Sequence, residues 1–360
     1  MSCIAPQLET PLAEPQILQV SATTVPPGDW DAYVEAHADA SAYHRASAVR
    51  VGADTFGLRV TFLSARDAQG RLTGVLPLVE QSSWLFGRFL ASVPFFTYGG
   101  VLADGQTAAA ALAAHATELA RVRRAAHVEL RHTAPRELSG YAERLDKVSM
   151  VLRLPASEEA LSKQLGAKLR SQIRRADREQ PQILWGGAEL IPDFYDVFAA
   201  AMHDLGTPVY PQRFFSVVHA ALPGLIHVLV VKVGGVAQAA AILVRHGRRI
   251  EVPWAAATPA AKRGAVNMRM YWELLRFSVQ AGAEAFDFGR STVDSGTYRF
   301  KAQWGAQPVQ LHWHYWLPEG KSIPQLNQAN PKYALAASWW RRMPLWCANL
   351  LGPHIVRNLP

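Results

Sequence analysis

A few clusters of polar residues set among aromatics could carry chemistry in this chain. The most distinctive is Phe300-Lys301-Ala302-Gln303-Trp304-Gly305, a lysine with large rings on both sides. An ammonium in a dry setting is suited to stabilising negative charge that develops on a reacting oxygen. The plainer alternative is a lysine whose stem lies on apolar surface while its head stays in water. Upstream, Ala285-Phe286-Asp287-Phe288 reads as a strand, with Arg290 and Ser291 at its end, where α/β units place ligands. Asp287 can accept a proton or simply pair with Arg290. Ser291 lacks the G-x-S-x-G surroundings of an activated nucleophile. Glu251 precedes Trp254 by three residues. A carboxylate buried beside rings has a raised pKa and could serve as an alternative general base, whereas at a wet sheet edge it has no such role. His312-Trp313-His314 puts two imidazoles on one strand face without a clustered third ligand, so no metal site is expected. There is no P-loop and no G-x-G-x-x-G fingerprint.

These residues need a scaffold. At 360 residues, two domains are expected. A hydrophobic share of 49% with 18% charged residues excludes disorder for the bulk of the chain. Cys3 and Cys347 sit near opposite ends of the sequence, which excludes a disulfide scaffold and a zinc ribbon and fits a reducing, cytoplasmic setting. The net charge of +8 favours phosphate-bearing partners, whether nucleotides, nucleic acid or an anionic membrane face. Residues 1–15 show neither the basic n-region nor the apolar run of a signal peptide. The apolar stretch 225–244 is split by Gly234-Gly235 and carries Lys232, so it reads as a buried hairpin and no transmembrane segment is expected.

One order of elements occurs twice. Strands are expected over 59–64, 74–80 and 88–93, followed by a loop 94–100, a helix over 107–124 and a closing strand over 128–131. The second set runs 225–233, 236–245 and 249–255, a loop through Thr258, Pro259 and Gly264, a helix over 267–280 and a strand over 285–288. Corresponding pieces lie about 160 residues apart, which suggests duplication of one α/β unit. Between them, Leu161, Leu165, Leu169 and Ile173 form one apolar stripe on an expected basic helix over 158–180, stopped by Pro181. Its cations suit phosphates of tRNA, a lipid diphosphate or a membrane, or merely a solvated face. Further helices are expected near 193–205 and 213–222.

Several segments together resemble the FemAB-related proteins associated with PEP-CTERM/exosortase gene clusters. They are Lys168-Leu169-Arg170-Ser171-Gln172-Ile173-Arg174-Arg175-Ala176, Asp204-Leu205-Gly206-Thr207-Pro208-Val209-Tyr210-Pro211, Glu251-Val252-Pro253-Trp254 and the block 286–305. Gly74-Val75-Leu76-Pro77-Leu78, Tyr98-Gly99-Gly100 and the C-terminal stretch extend the similarity over nearly the whole chain. One departure is Ala48-Val49 after Tyr43-His44, where a tryptophan is expected. The resemblance implies an α/β fold of two tandem GNAT-like domains with mixed, mainly antiparallel sheets flanked by helices. The boundaries expected are 16–148, 149–318 and a helical tail 319–360. It also implies N-acyl or aminoacyl transfer to an amine, in exopolysaccharide, cell-envelope or PEP-CTERM-associated biogenesis.

On that reading Lys301, matching the family's Phe-Lys-x-x-Phe-Gly motif with Trp304 for the second phenylalanine, stabilises developing negative charge. Asp287 and Glu251 are the other catalytic candidates. Arg290, Ser291, Trp254, Tyr210, His203 and Tyr298 are the substrate-binding candidates. Arg263, Gly264 and Asn267 stand where acetyltransferase folds hold the coenzyme A pyrophosphate, although the usual glycine-rich loop is missing. No bound cofactor is expected; the co-substrate is acyl-CoA or aminoacyl-tRNA. The acceptor is a small-molecule or lipid-linked amine. Residues 333–360, with three tryptophans beside arginines, suit either packing across the domain junction or peripheral contact with the inner membrane. Two competing classes are a non-catalytic binding module of a polysaccharide or sorting machine, and RNA binding resting on charge alone.

Overall fold

The computed structural model describes residues 18–83, 87–324 and 331–358. Residues 1–17, with Cys3 and the signal-peptide reading, lie outside them. Among the described residues fifteen strands form two sheets: β1 (Gln19–Thr23), β2 (Arg59–Arg66), β3 (Leu72–Ser83), β4 (Gly87–Ala91), β5 (Leu102–Ala103), β6 (Val128–His132), β7 (Tyr141–Arg144), β8 (Lys147–Arg153), β9 (Gln182–Gly186), β10 (Ile226–Val233), β11 (Val236–His246), β12 (Arg249–Ala257), β13 (Ala285–Thr292), β14 (Gln307–Gln310) and β15 (His312–Trp316). The first sheet runs β1-β2-β3-β4-β6-β15-β7, with β5 on β3; the second runs β14-β8-β13-β12-β11-β10-β9. Each sheet is antiparallel apart from one parallel pair, β4 with β6 and β12 with β13.

The repeat read from the sequence is therefore present in three dimensions. Both expected hairpins form, and the apolar stretch around Gly234-Gly235 is β10 and β11. No helix among the described residues is long and apolar enough to cross a membrane.

The two sheets are stitched together by strand exchange. Strands β7 and β8 are nearly consecutive in sequence, as are β14 and β15, yet each couple divides, one strand going to each sheet. Thus β15, within the expected second domain 149–318, pairs with β6 and β7 of the first sheet. Strand β8 meanwhile lies between β13 and β14 of the second. The two crossing points touch: Leu311 donates its N–H to the Lys147 carbonyl at 3.2 Å. The Gln310 amide also donates to the carbonyls of Leu145 (3.1 Å) and Lys147 (2.9 Å).

Helices cover the sheets where the apolar periodicity requires. Gln106–Val122 buries Ala109, Leu112, Ala113, Ala116 and Ala120 on the first sheet; small side chains let the helix sit close to the strands. On the second sheet, Val266–Gln280 packs with the basic segment. That segment is not one helix over 158–180. It divides into Glu158–Gln164 and Ala167–Ala176, because Leu165 is extended and Gly166, a poor helix former, caps the second piece. Leu161, Leu165, Leu169 and Ile173 are nonetheless all buried. The other face of the second sheet, under Ile191–Leu205 and Gln212–Ala221, merges with the first unit. Tyr43, Val93, Phe95, Phe96 and Tyr98 share one core with Phe194, Phe198, Phe214, Phe215 and Trp254.

Strand exchange and a shared core make the halves thermodynamically one body. Unfolding of the intact chain in urea is expected to be a single transition, reported alike by circular dichroism and tryptophan fluorescence. Residues 18–146 expressed alone, which lack β15, are expected to show no cooperative transition. An independently folding fragment would contradict this account.

Candidate active site

The parallel pair β12–β13 is short. Its register runs from Arg249–Ala285 to Glu251–Asp287 and stops there. Beyond that point the strands diverge and a cavity of about 390 Å³ opens between the two units. Val252, Pro253 and Trp254 line one side, Phe288, Gly289 and Arg290 the other. Pro94–Thr97 and Arg131 of the first unit, Phe198, Met202, residues 207–210, Lys301 and Val356 complete the wall.

Lys301 sits on the helix Gly296–Ala302, whose start is capped by the Ser295 side chain accepting from the Tyr298 N–H. Its ammonium donates to the carbonyls of Gly289 (2.9 Å) and Arg290 (3.0 Å). Two of three N–H groups are thus used, leaving one for the cavity that the residue lines. Burial lowers its pKa to about 8, against the opposing pull of the Asp287 and Glu251 charges. Gly289 makes this geometry accessible. Its φ of 76° is one that a side chain resists, and a Cβ there would meet the Val252 carbonyl at 3.4 Å.

Beneath the cavity floor lie the two carboxylates, both fully buried. Glu251 is therefore not the wet edge-strand residue of the plainer reading. Its Oε2 accepts from the Tyr43 hydroxyl at 2.6 Å and from His246 Nε2 at 3.1 Å. The Ala42 N–H donates to His246 Nδ1, so the neutral ring carries its proton on Nε2, facing Glu251. Burial pushes the Glu251 pKa up, but the bonds from His246 and Tyr43 and the nearby Arg249 charge more than offset it, and the carboxyl lies below its ordinary value. Asp287 is the opposite case. Burial and the adjacent Glu251 charge raise it to about 6. It does not pair with Arg290: its Oδ1 accepts from the Gly289 N–H (2.8 Å) and from the Ser149 hydroxyl on β8. Its Oδ2 is buried without a partner.

Arg290 instead lies over Trp313, with its guanidinium carbon 4.9 Å from the ring centroid. Arg131 approaches the same ring, at 4.4 Å. The exchanged strand β15 supplies that ring, and also Tyr315, whose hydroxyl donates to Glu129 at 2.7 Å. Glu129 pairs with Arg131 at 2.5 Å, and Arg131 donates to the carbonyls of Val93, Pro94 and Phe96. Register makes the comparison between units direct. Glu129 is the last residue of β6 paired with β4, as Asp287 is the last of β13 paired with β12, so Arg131 and Gly289 stand two residues beyond the end of each parallel pair. In the first unit a guanidinium fills the divergence; in the second a glycine leaves it open.

Of the residues expected from sequence, Lys301, Arg290, Trp254 and Tyr210 line the cavity, and Asp287 and Glu251 lie just below it. Ser291 is buried with its hydroxyl unpartnered. His203 and Tyr298 are placed elsewhere. His203 donates from Nε2 to the Met343 carbonyl at 2.7 Å, and the Tyr298 ring packs on the core beneath the second sheet. Arg263, Gly264 and Asn267 precede or open the helix Val266–Gln280, where Glu179 lies against Gly264: a Cβ there would be 3.0 Å from its Oε1. The Arg263 carbonyl accepts from Arg175 at 2.8 Å. His314 meets His132 at 2.9 Å and His312 meets Glu143 at 2.6 Å; the same Glu143 oxygen lies 3.7 Å from His314 Nε2, so the two imidazoles of that strand share one carboxylate. Among the described residues no group of three His, Cys, Asp or Glu is placed to hold a metal. Arg131, Tyr43, His246 and Ser149 were not singled out from sequence. Only Arg131 carried a local signal: with Glu129 it puts two charges on one face of a strand, alternating with Val128 and Leu130.

Comparison with known proteins agrees with this architecture. Residues 163–302 match the family described as acetyltransferase (GNAT) domain. The fold is similar to the crystal structure of FemX, with a TM-score of 0.64 and 14% identity over 88% of this chain and 100% of that one. It is also similar to the C-terminal domain of a putative lysylphosphatidylglycerol synthetase from Agrobacterium fabrum (TM-score 0.54, 16% identity, 91% of this chain and 99% of that one). A tandem GNAT protein from the clavulanic acid biosynthesis pathway gives a TM-score of 0.51 at 12% identity, covering 86% of this chain and 100% of that one. A search of curated protein sequences gives no match. The fold is thus that of two GNAT-like units in tandem, and residues 163–302 are the part that matches the acetyltransferase (GNAT) domain.

The raised pKa of Asp287 fixes a sign for stability. A group that holds its proton more tightly when folded adds stability that is fully present below its unfolded value of 3.8 and lost as pH rises through about 6. Asp287→Asn keeps an Oδ1 to accept from Gly289 and removes the like charge beside Glu251. It is expected to raise stability at neutral pH by on the order of 2–3 kcal/mol. It is also expected to flatten the pH dependence between about 4 and 6, as measured by urea denaturation across pH.

Proposed function

We propose that this protein transfers an acyl or aminoacyl group to an amine within the inter-unit cavity. The observation that carries the reading is the desolvated Lys301 ammonium at the divergence of β12 and β13, with two carbonyl acceptors and one N–H left for the cavity. A neutral amine attacks the acyl carbonyl, a C–N bond forms, the bond to the carrier breaks, and the proton lost by the nitrogen ends on the departing carrier. Lys301 stabilises the oxyanion between these events. Glu251 and Asp287 do not line the cavity; they act from below, their charges keeping Lys301 protonated. Arg290, exposed beside the opening and braced on Trp313, is the contact for an anionic part of the substrate. Tyr210 and Trp254 supply apolar wall.

The chemistry belongs to the second unit on this reading. Arg131 occupies the equivalent place in the first, which contributes the loop Pro94–Thr97 as a wall. The units fall near 16–148 and 149–318, with the exchange of β15 as the qualification. The resemblance carried by residues 286–305 supports an acceptor among envelope or exopolysaccharide precursors. The donor is an activated acyl carrier, acyl-CoA or aminoacyl-tRNA. Glu179 against Gly264 puts a carboxylate where a diphosphate would approach the helix Val266–Gln280, so the donor deserves direct measurement.

Thermal-shift curves with a panel of acyl-CoAs, scored against free CoA, provide it. A ligand that binds only the folded protein at a hundredfold its Kd adds about 2.7 kcal/mol. A shift specific to one acyl-CoA is expected if CoA is the carrier; none directs the assay to aminoacyl-tRNA. With the donor in hand, Lys301→Met is expected to lower kcat by roughly 10²–10³-fold. The wild-type rate is expected to fall as pH rises through about 8, where Lys301 loses its proton. Asp287→Asn should move that limb to lower pH, because the charge that raises the Lys301 pKa is gone. Undiminished turnover by Lys301→Met would refute the role.

A further inference from the structure

The helices Pro331–Arg342 and Leu345–Val356 are bound to the second unit by one face and leave the other uncovered. The bound face is closely fitted. A Cβ on Gly206 would lie 2.7 Å from the Ala337 carbonyl, and one on Gly352 would lie 2.9 Å from that of Val209. Trp340, Ala348, Gly352 and Val356 are buried, and Val356 reaches the cavity wall. The outward face is therefore held rigidly by backbone contact. On it, Leu335, Trp339, Trp346 and Leu350 are 61–69% exposed.

Spacing shows this to be a patterned surface. Leu335 and Trp339 are four apart on the first helix with Arg342 three further on; Trp346 and Leu350 are four apart on the second with Arg357 seven further on. Each set lies along one helical stripe. From residue 320 to 360 the sequence holds five Lys or Arg and no Asp or Glu. Two such cationic faces repel each other, which disfavours a second copy as the occupant. Indole rings and leucines among arginines match the boundary of an anionic bilayer, where tryptophan sits at headgroup level and each basic residue near the surface adds to the attraction.

We infer that this helical pair docks the protein on an anionic lipid surface. Docking would bring the lining residue Val356, and with it one wall of the cavity, close to the headgroups, so the cavity would take a substrate anchored in that lipid. This last step rests on the acyl-transfer reading; the docking itself does not, and it is measured without turnover.

The test is co-sedimentation of the full chain with vesicles of mixed phosphatidylglycerol and phosphatidylcholine, and with vesicles of phosphatidylcholine alone. Strong binding to the mixed vesicles and weak binding to the neutral ones is expected. The double variant Trp339→Gln/Trp346→Gln, shown to be folded by its urea transition, should lose at least about tenfold in affinity. Equal binding by the folded double variant, or no binding of the wild-type chain to anionic vesicles, would overturn the inference. So would tryptophan-dependent self-association without lipid, which would make a second copy the occupant.

Discussion

Two adjacent parallel strands, β12 and β13, stay paired for three residues and then part, and much of the molecule is arranged around that parting. A parallel pair that diverges leaves backbone groups in the interior that must find other partners. Here the Gly289 N–H turns to Asp287, and the carbonyls of Gly289 and Arg290 turn to Lys301. The lysine thus completes the backbone hydrogen bonding of an opened sheet, and it is by the same contacts that its ammonium is held in the cavity. Two buried carboxylates below, one anchored by Tyr43 and His246 from elements far apart in sequence, keep it from being an isolated internal charge.

The first unit solves the same problem differently. Its parallel pair also ends at a buried carboxylate, Glu129, but the freed carbonyls of Val93, Pro94 and Phe96 are met by a single guanidinium. Arg131 is suited to this because its fork presents several donors at fixed angles. The same topology therefore yields a filled groove in one copy and an open one in the other. The difference lies in whether the residue two past the last pair carries a side chain or, as glycine, takes a left-handed backbone.

Much of this was legible in the sequence because the signals were local. Alternating apolar residues gave the strands, Gly234-Gly235 the hairpin, and Lys301 between Phe300 and Trp304 a residue that lines the cavity. The break at Leu165-Gly166 was masked by an apolar stripe that continues across it, since four-residue spacing survives an interruption of one extended residue. Tyr43, His246 and Ser149 had no local signal at all: their meaning comes from partners more than a hundred residues away or, for His246, from a tautomer set by the Ala42 N–H. The exchange of β8 and β15 was likewise invisible, because a strand's alternation says which face it buries and nothing of which sheet receives it. His203 and Tyr298 read as site residues for their neighbours in the motif, and packing assigned them to helix anchoring and core.

The placement of β15 also bears on how the chain is made. Strand β6 is bordered on one side by β15, and β7 has no other neighbour in its sheet, so both wait for residues 312–316. At 5–20 residues per second, translation from Arg144 to Trp316 takes roughly 10–35 s. During that interval the nascent first unit presents unpaired strand edges while the second is still being synthesised. Such an edge is a template for pairing with any extended chain nearby. The order of synthesis thus leaves the N-terminal half, which has a filled groove in the finished molecule, as the part most in need of shielding on the ribosome.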